Sequence, residues 1–128
     1  MGNNILNDTP LQVFIIIAET LVGWKSPTTD DGKTVLMKHY EWAAELKSKE
    51  KLILAGPTDL ELTSTNKINP IGHSTGLIIL KATSRKEAEE WAFKDPFHTN
   101  GFRRNVVHSM KITMTENTLF SQLNKLID

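Results

Sequence analysis

The chain has 128 residues, no cysteine, and fifteen basic residues balanced by fifteen acidic ones. That length suits one domain able to bury roughly two-thirds of the surface its unfolded form would expose. The absence of cysteine excludes disulfides, thiolate metal sites and a cysteine nucleophile, and Lys and Arg scattered along the chain instead of gathered in a stripe exclude a nucleic-acid footprint. The most apolar early run, Val13 to Ala18, is too short to cross a bilayer and follows no basic segment, so a soluble cytoplasmic protein with no membrane partner is expected.

Residues Met1 to Pro10 are polar and read as a flexible arm, which leaves 11–128 as a single domain. A strand is predicted from Leu11 to Thr20. Leu11, Val13, Ile15 and Ile17 line one face and Phe14, Ile16 and Ala18 the other, so both faces need cover. Leu21 to Gly32 is a connection ending in an Asp30-Asp31-Gly32 turn signal, with Trp24 as a plug over one end of the core. Thr34 to Lys49 is an amphipathic helix. At about 100° per residue, Val35, Leu36, Tyr40, Trp42, Ala43, Ala44 and Leu46 share an apolar arc opposite Lys38, Glu41, Glu45 and Lys49. His39 falls inside that arc.

Lys51 to Ala55 gives a second strand ended by Gly56-Pro57, and Thr58 to Thr75 a long loop, a length that marks mobility or function. Gly76 to Ala82 is a third strand, apolar on both faces. Ser84 to Glu87 forms a capping box for a helix presenting Ala88, Trp91 and Ala92, and Pro96 ends it. Asp95 is thereby placed at a helix C-terminus, where the dipole opposes its charge. A fourth strand from Asn105 to Thr115 alternates, with Val106, His108, Met110, Ile112 and Met114 inward. Leu119, Phe120, Leu123, Leu126 and Ile127 form an extra C-terminal helix.

The order strand, helix, strand, strand, helix, strand is the ferredoxin-like βαββαβ arrangement, an α+β fold with a four-stranded antiparallel sheet. Its first and third strands are central, and those are the two with apolar residues on both faces. Two helices cover one face only. A second copy of the sheet, giving a homodimer with an α+β barrel core, would cover the other, with the C-terminal helix as a competing cover.

None of the four histidines, His39, His73, His98 and His108, has metal-ligand spacing, so no metal site is expected. His108 reads as a core histidine and His73 as a loop residue. His39 has a candidate partner in Asp95, at the end of a helix covering the same sheet face. A carboxylate there would fix the imidazole's tautomer and raise its basicity. Spacing alone favours the plainer alternative, in which His39 bonds a backbone carbonyl and Asp95 caps the turn before Pro96.

The histidine in the first helix, followed by LKSKEKLILAGPTD and then GLIILKATSRKEAEEWAFKDPFHTNGFRRNVV, resembles the YCII-related (YciI-like) family from about His39 to Met110. The most telling pieces are Ala55-Gly56-Pro57, the helix Ala88 to Ala92, Asp95-Pro96-Phe97 and Gly101. The resemblance implies a ferredoxin-like fold dimerised into an α+β barrel, with His39 and Asp95 as a catalytic pair and Gly56, Pro57, Phe97 and His98 around a small-molecule ligand. The chain departs from the pattern at Glu50, where a glycine is usual, and at Leu36, where an arginine is frequent.

The expected function is acid–base chemistry of lyase, isomerase or dehalogenase type on a small organic substrate, with no cofactor, since no glycine-rich phosphate cradle is present. The alternatives are a non-catalytic module that binds a metabolite or assembles as a dimer, and a small barrel monooxygenase.

Overall fold

The computed structural model describes residues 12–60, 71–73 and 75–114. The predicted arm, most of the 58–75 loop and the C-terminal helix lie outside the described residues. The elements in chain order are strand β1 (Gln12–Thr20), helix α1 (Asp30–Ser48), strands β2 (Leu52–Thr58) and β3 (Thr75–Ala82), helix α2 (Arg85–Ala92), the single turn α3 (Pro96–Thr99) and strand β4 (Arg103–Met110). The four strands form one antiparallel sheet in the order β2-β3-β1-β4. The fold is ferredoxin-like α+β, and the two strands with apolar residues on both faces occupy its centre.

Residues directly opposite in an antiparallel ladder share a face. Phe14 faces Leu80 and Ser109, and Ile16 faces Ile78 and Val107, while Ala18 faces Gly76 and Asn105. These positions lie under the helices, where Trp42 and Leu46 of α1 and Ala88 and Ala92 of α2 pack on Phe14, Ile16, Ile78, Leu80 and Val107. The Trp42 indole N–H donates to the Trp91 carbonyl at 3.1 Å, so the largest side chain of this core is also satisfied.

The register corrects the predicted phase of β4. Asn105 and Val107 are 2% exposed under the helices, whereas Val106, His108 and Met110 are exposed on the opposite face. A shift of one residue moves every side chain across a sheet, and the Val106-Val107 pair allows either phase. The strand also stops at Met110, short of the expected Thr115.

Helix α1 starts four residues earlier than expected. Thr29 is its N-cap, its hydroxyl accepting from the Gly32 N–H at 3.1 Å, and Asp30 and Asp31 fall in the first turn, where the dipole favours acids. The Asp-Asp-Gly segment is therefore the start of a helix. Gly32 is required by packing, since a Cβ there would lie 2.0 Å from the Ser26 carbonyl oxygen.

The helix ends in a Schellman motif. The Glu50 N–H donates to the Lys47 carbonyl and the Lys51 N–H to the Leu46 carbonyl, both at 3.0 Å, with Glu50 at φ 58°. That left-handed conformation explains why glycine suits the position and glutamate strains it. Glu50→Gly is expected to raise stability by about 1 kcal/mol, read as an increase of a few degrees in melting temperature; an unchanged or lower value would show that the strain is negligible.

Strand β2 runs on through Gly56 and Pro57, past the expected stop at Ala55. Proline is tolerated because β2 is an edge strand, with one side free of ladder partners. Among the described residues, no helix is long and apolar enough to cross a membrane.

Candidate active site

α2 ends at Ala92, as the proline predicts, but the same proline starts the next turn. Pro96 occupies the first helical position of α3 and Asp95 is its N-cap, with the Phe97 N–H donating to Asp95 Oδ1 at 3.0 Å. Asp95 is therefore stabilised by the backbone that follows it, the reverse of the dipole opposition expected from its position after α2. The carboxylate has no solvent exposure. Its Oδ1 also accepts from His39 Nδ1 at 2.7 Å, and its Oδ2 accepts from Asn105 Nδ2 at 3.0 Å. Asn105 is held in turn by donating to the Ala92 carbonyl at 2.8 Å.

Three elements thus converge on one bond. The middle of α1 supplies the imidazole, the α2–α3 corner supplies the acid, and β4 supplies the amide that fixes the acid's second oxygen. The His39 ring is stacked on Phe97, with centroids 4.2 Å apart and planes 22° apart. Only 16% of the His39 side chain is exposed. An ionised Asp95 only accepts, so Nδ1 carries the proton of this bond, and in the neutral ring that leaves the Nε2 lone pair available. Among the described residues Nε2 has no hydrogen-bond partner.

His39 lines a cavity of about 380 Å³ between α1 and the helix-facing side of the sheet. Gly56, Pro57 and Phe97 line it too, as do Trp24, Leu36 and Tyr40. Tyr40 stands at its exposed edge, 57% accessible despite its place on the helix's apolar arc. Trp24 packs on Phe97 and Phe102, with centroids 5.1 and 5.8 Å away, and so both closes the end of the core and walls the cavity.

His98 is not part of this lining. Its Nδ1 accepts from the Asn105 backbone N–H at 3.1 Å and its ring stacks on Phe93 at 5.0 Å. One step along a helical turn rotates a side chain by about 100°, so Phe97 faces the cavity and His98 faces away. His73 and His108 are exposed and stand outside the cavity wall. Among the described residues no group of three or more His, Asp or Glu side chains is arranged to hold a metal ion.

Arg103 was not foreseen as a site residue. It shares the helix-facing parity of Asn105 and lines the cavity, its guanidinium carbon 5.0 Å from the ring centres of both Trp24 and Phe97. Burial pushes its pKa below the ordinary arginine value, and the negative charge of Asp95 opposes that shift. The available signal was the period-2 parity with Asn105, which the reversed phase of β4 obscured.

The fold and this geometry define a ferredoxin-like α+β protein with a carboxylate-held histidine at the wall of an apolar cavity. The chain belongs to the YCII-related domain family, whose sequence model matches residues 20–111. Comparison with curated proteins finds no matching relative. Among solved structures, the chain is similar to 5-chloro-2-hydroxyhydroquinone dehydrochlorinase (TftG) from Burkholderia phenoliruptrix AC1100 in complex with 2,5-dihydroxybenzoquinone. The TM-score is 0.53 at 22% identity, over 77% of this chain and 93% of that one. A likeness at that identity shows the shared fold.

Proposed function

We propose that this chain is an acid–base enzyme acting on a small organic molecule held in the cavity, with His39 as the proton-transferring group and Asp95 as its positioning partner. The observation that carries the reading is the 2.7 Å bond from His39 Nδ1 to a carboxylate with no solvent exposure, on a ring that lines a cavity. In this reading Nε2 takes a proton from substrate, and the Asp95 charge stabilises the imidazolium that results. Phe97 fixes the plane of the ring. Gly56 and Pro57 bound the far wall of the cavity.

The family and the dehydrochlorinase neighbour support elimination of HX as the reaction type. His39 would remove a proton from an O–H or C–H of the substrate, the freed electron pair would form the new double bond, and halide would leave with the electrons of its bond to carbon. The net loss of HX needs no oxidant. The test is release of chloride from 5-chloro-2-hydroxyhydroquinone, measured by ion-selective electrode, together with a titration by 2,5-dihydroxybenzoquinone. Chloride release above the uncatalysed rate is expected. Saturable binding of the quinone with no chloride release would support a binding module instead.

The same reading takes 11–128 as one domain whose second sheet face, bearing Ile15, Ile17, Leu77 and Ile79 and left partly exposed by the described residues, is covered by a second copy. Both helices lie on the other face, and four aliphatic side chains in one patch are costly to leave in water. Light scattering is expected to give twice the mass of the chain; a monomer at micromolar concentration would contradict the dimer and leave the site reading intact.

A further inference from the structure

We infer that Arg103 is the anion-recognition group of this cavity and that the molecule held there carries a carboxylate or an ionised phenol or enol oxygen on a planar frame. This deepens the acid–base reading and rests on it for the place where proton transfer occurs.

A guanidinium carries five N–H donors and a permanent charge. Among the described residues the Arg103 side chain makes no hydrogen bond or ion pair, and its Nε is buried without a partner. Asp95 is the nearby acid, yet its oxygens are engaged by His39, Phe97 and Asn105. Arg103 feels that charge without bonding to it. What touches the guanidinium is aromatic: Trp24 and Phe97, each 5.0 Å from its central carbon. Ring faces attract a cation but accept none of its directed hydrogen bonds.

The sheet makes room for this arrangement. A Cβ at Gly76 would come within 2.8 Å of Arg103 Nη1, so a glycine lets the guanidinium lie against β3. Thr20, opposite Arg103 in the β1–β4 register, has a buried hydroxyl that also lacks a partner. Two side-chain polar atoms without partners, Arg103 Nε and Thr20 Oγ1, therefore occupy one register position, and Arg103 lines the cavity. A half-buried cation whose Nε has no hydrogen-bond partner is held at a cost, and the ligand class that relieves it is one presenting planar anionic oxygens to the fork. Arg103 and His39 both contact the Phe97 ring, so an anion on Arg103 lies in the same chamber as the imidazole.

The test follows the Arg103 Nε–H resonance of the full chain by ¹⁵N NMR during titration with formate, acetate and benzoate, and separately with formamide, acetamide and benzamide. Formate is small enough to reach the guanidinium whatever the shape of the cavity. A saturable shift is expected with the carboxylates, at least about tenfold tighter than with their amides, consistent with a charge-assisted bond. In the variants, which lack that resonance, the same titrations are read from the Gly76 and Phe97 backbone amides: in Arg103→Gln the preference for the anion is expected to collapse to within about twofold, and in Arg103→Lys to survive in part. An Nε–H signal that ignores every carboxylate, or responds equally to the amides, would overturn the inference in the wild-type protein alone. His39→Gln separates the two proposals. Anion preference retained in that variant supports Arg103 recognition whether or not proton transfer at His39 is correct, and preference lost with His39 overturns the assignment to Arg103.

Discussion

Asp95→Ala lowers the stability of the protein by about 3–5 kcal/mol, the usual consequence of removing one partner from a buried charged network. The carboxylate is fully buried and accepts three hydrogen bonds, from the His39 ring, the Phe97 backbone and the Asn105 amide. Alanine leaves the Phe97 N–H and one bond of Asn105 unmatched where no bulk water reaches, and unlinks α1 from the α2–α3 corner. Native stabilities are typically about 5–15 kcal/mol, so the loss is a large share of the total. The melting temperature should fall by roughly 10 °C or more. Urea denaturation checks the free energy directly. A loss under about 1 kcal/mol would show that solvent enters the site and that the acid is not a structural keystone.

His39→Gln has the opposite profile, with a large effect on rate and a small one on stability. The glutamine amide can still donate toward Asp95 but has no ring nitrogen to take up and release a proton. Turnover of a substrate identified by the chloride assay should fall by about 10²- to 10⁴-fold, the usual worth of a positioned acid or base. The melting temperature should change by only a few degrees. Asp95→Asn should also slow turnover, because a neutral amide oxygen can keep the bond to Nδ1 but supplies no charge to stabilise the imidazolium. Wild-type rates in His39→Gln would remove the imidazole from the chemistry.

Much of the fold was legible because the signals are redundant. Apolar residues on both faces of β1 and β3 placed those strands in the centre, and Ser84 and Pro96 punctuated the second half of the chain. His39 stood out as a polar residue on an apolar helical arc, and Asp95 as the acid before a proline. Their contact depends on a separation of 56 positions in sequence. Local periodicity carries no information at that range, and the order of the elements could only bring them to one side of the sheet.

The misreadings have separate local causes. Along β4 the period is only two, so two adjacent valines erase the phase, and the error hid Asn105 and Arg103 while making His108 look interior. Asp95 was assigned to the helix before it because Pro96 both stops one helix and starts another, and the second role is seen only from the Phe97 N–H bond. His98, next to Phe97, was turned away by a single helical step and bonded to the strand backbone. At Glu50 the departure from the usual glycine was visible, while its cost became clear only with the left-handed φ.

The tautomer of His39 tests the central claim most directly. Two-bond ¹H–¹⁵N correlation spectra of the imidazole, recorded where the ring is neutral, are expected to show Nδ1 protonated and Nε2 bare. A proton on Nε2 with Nδ1 bare in the wild-type protein would contradict the account.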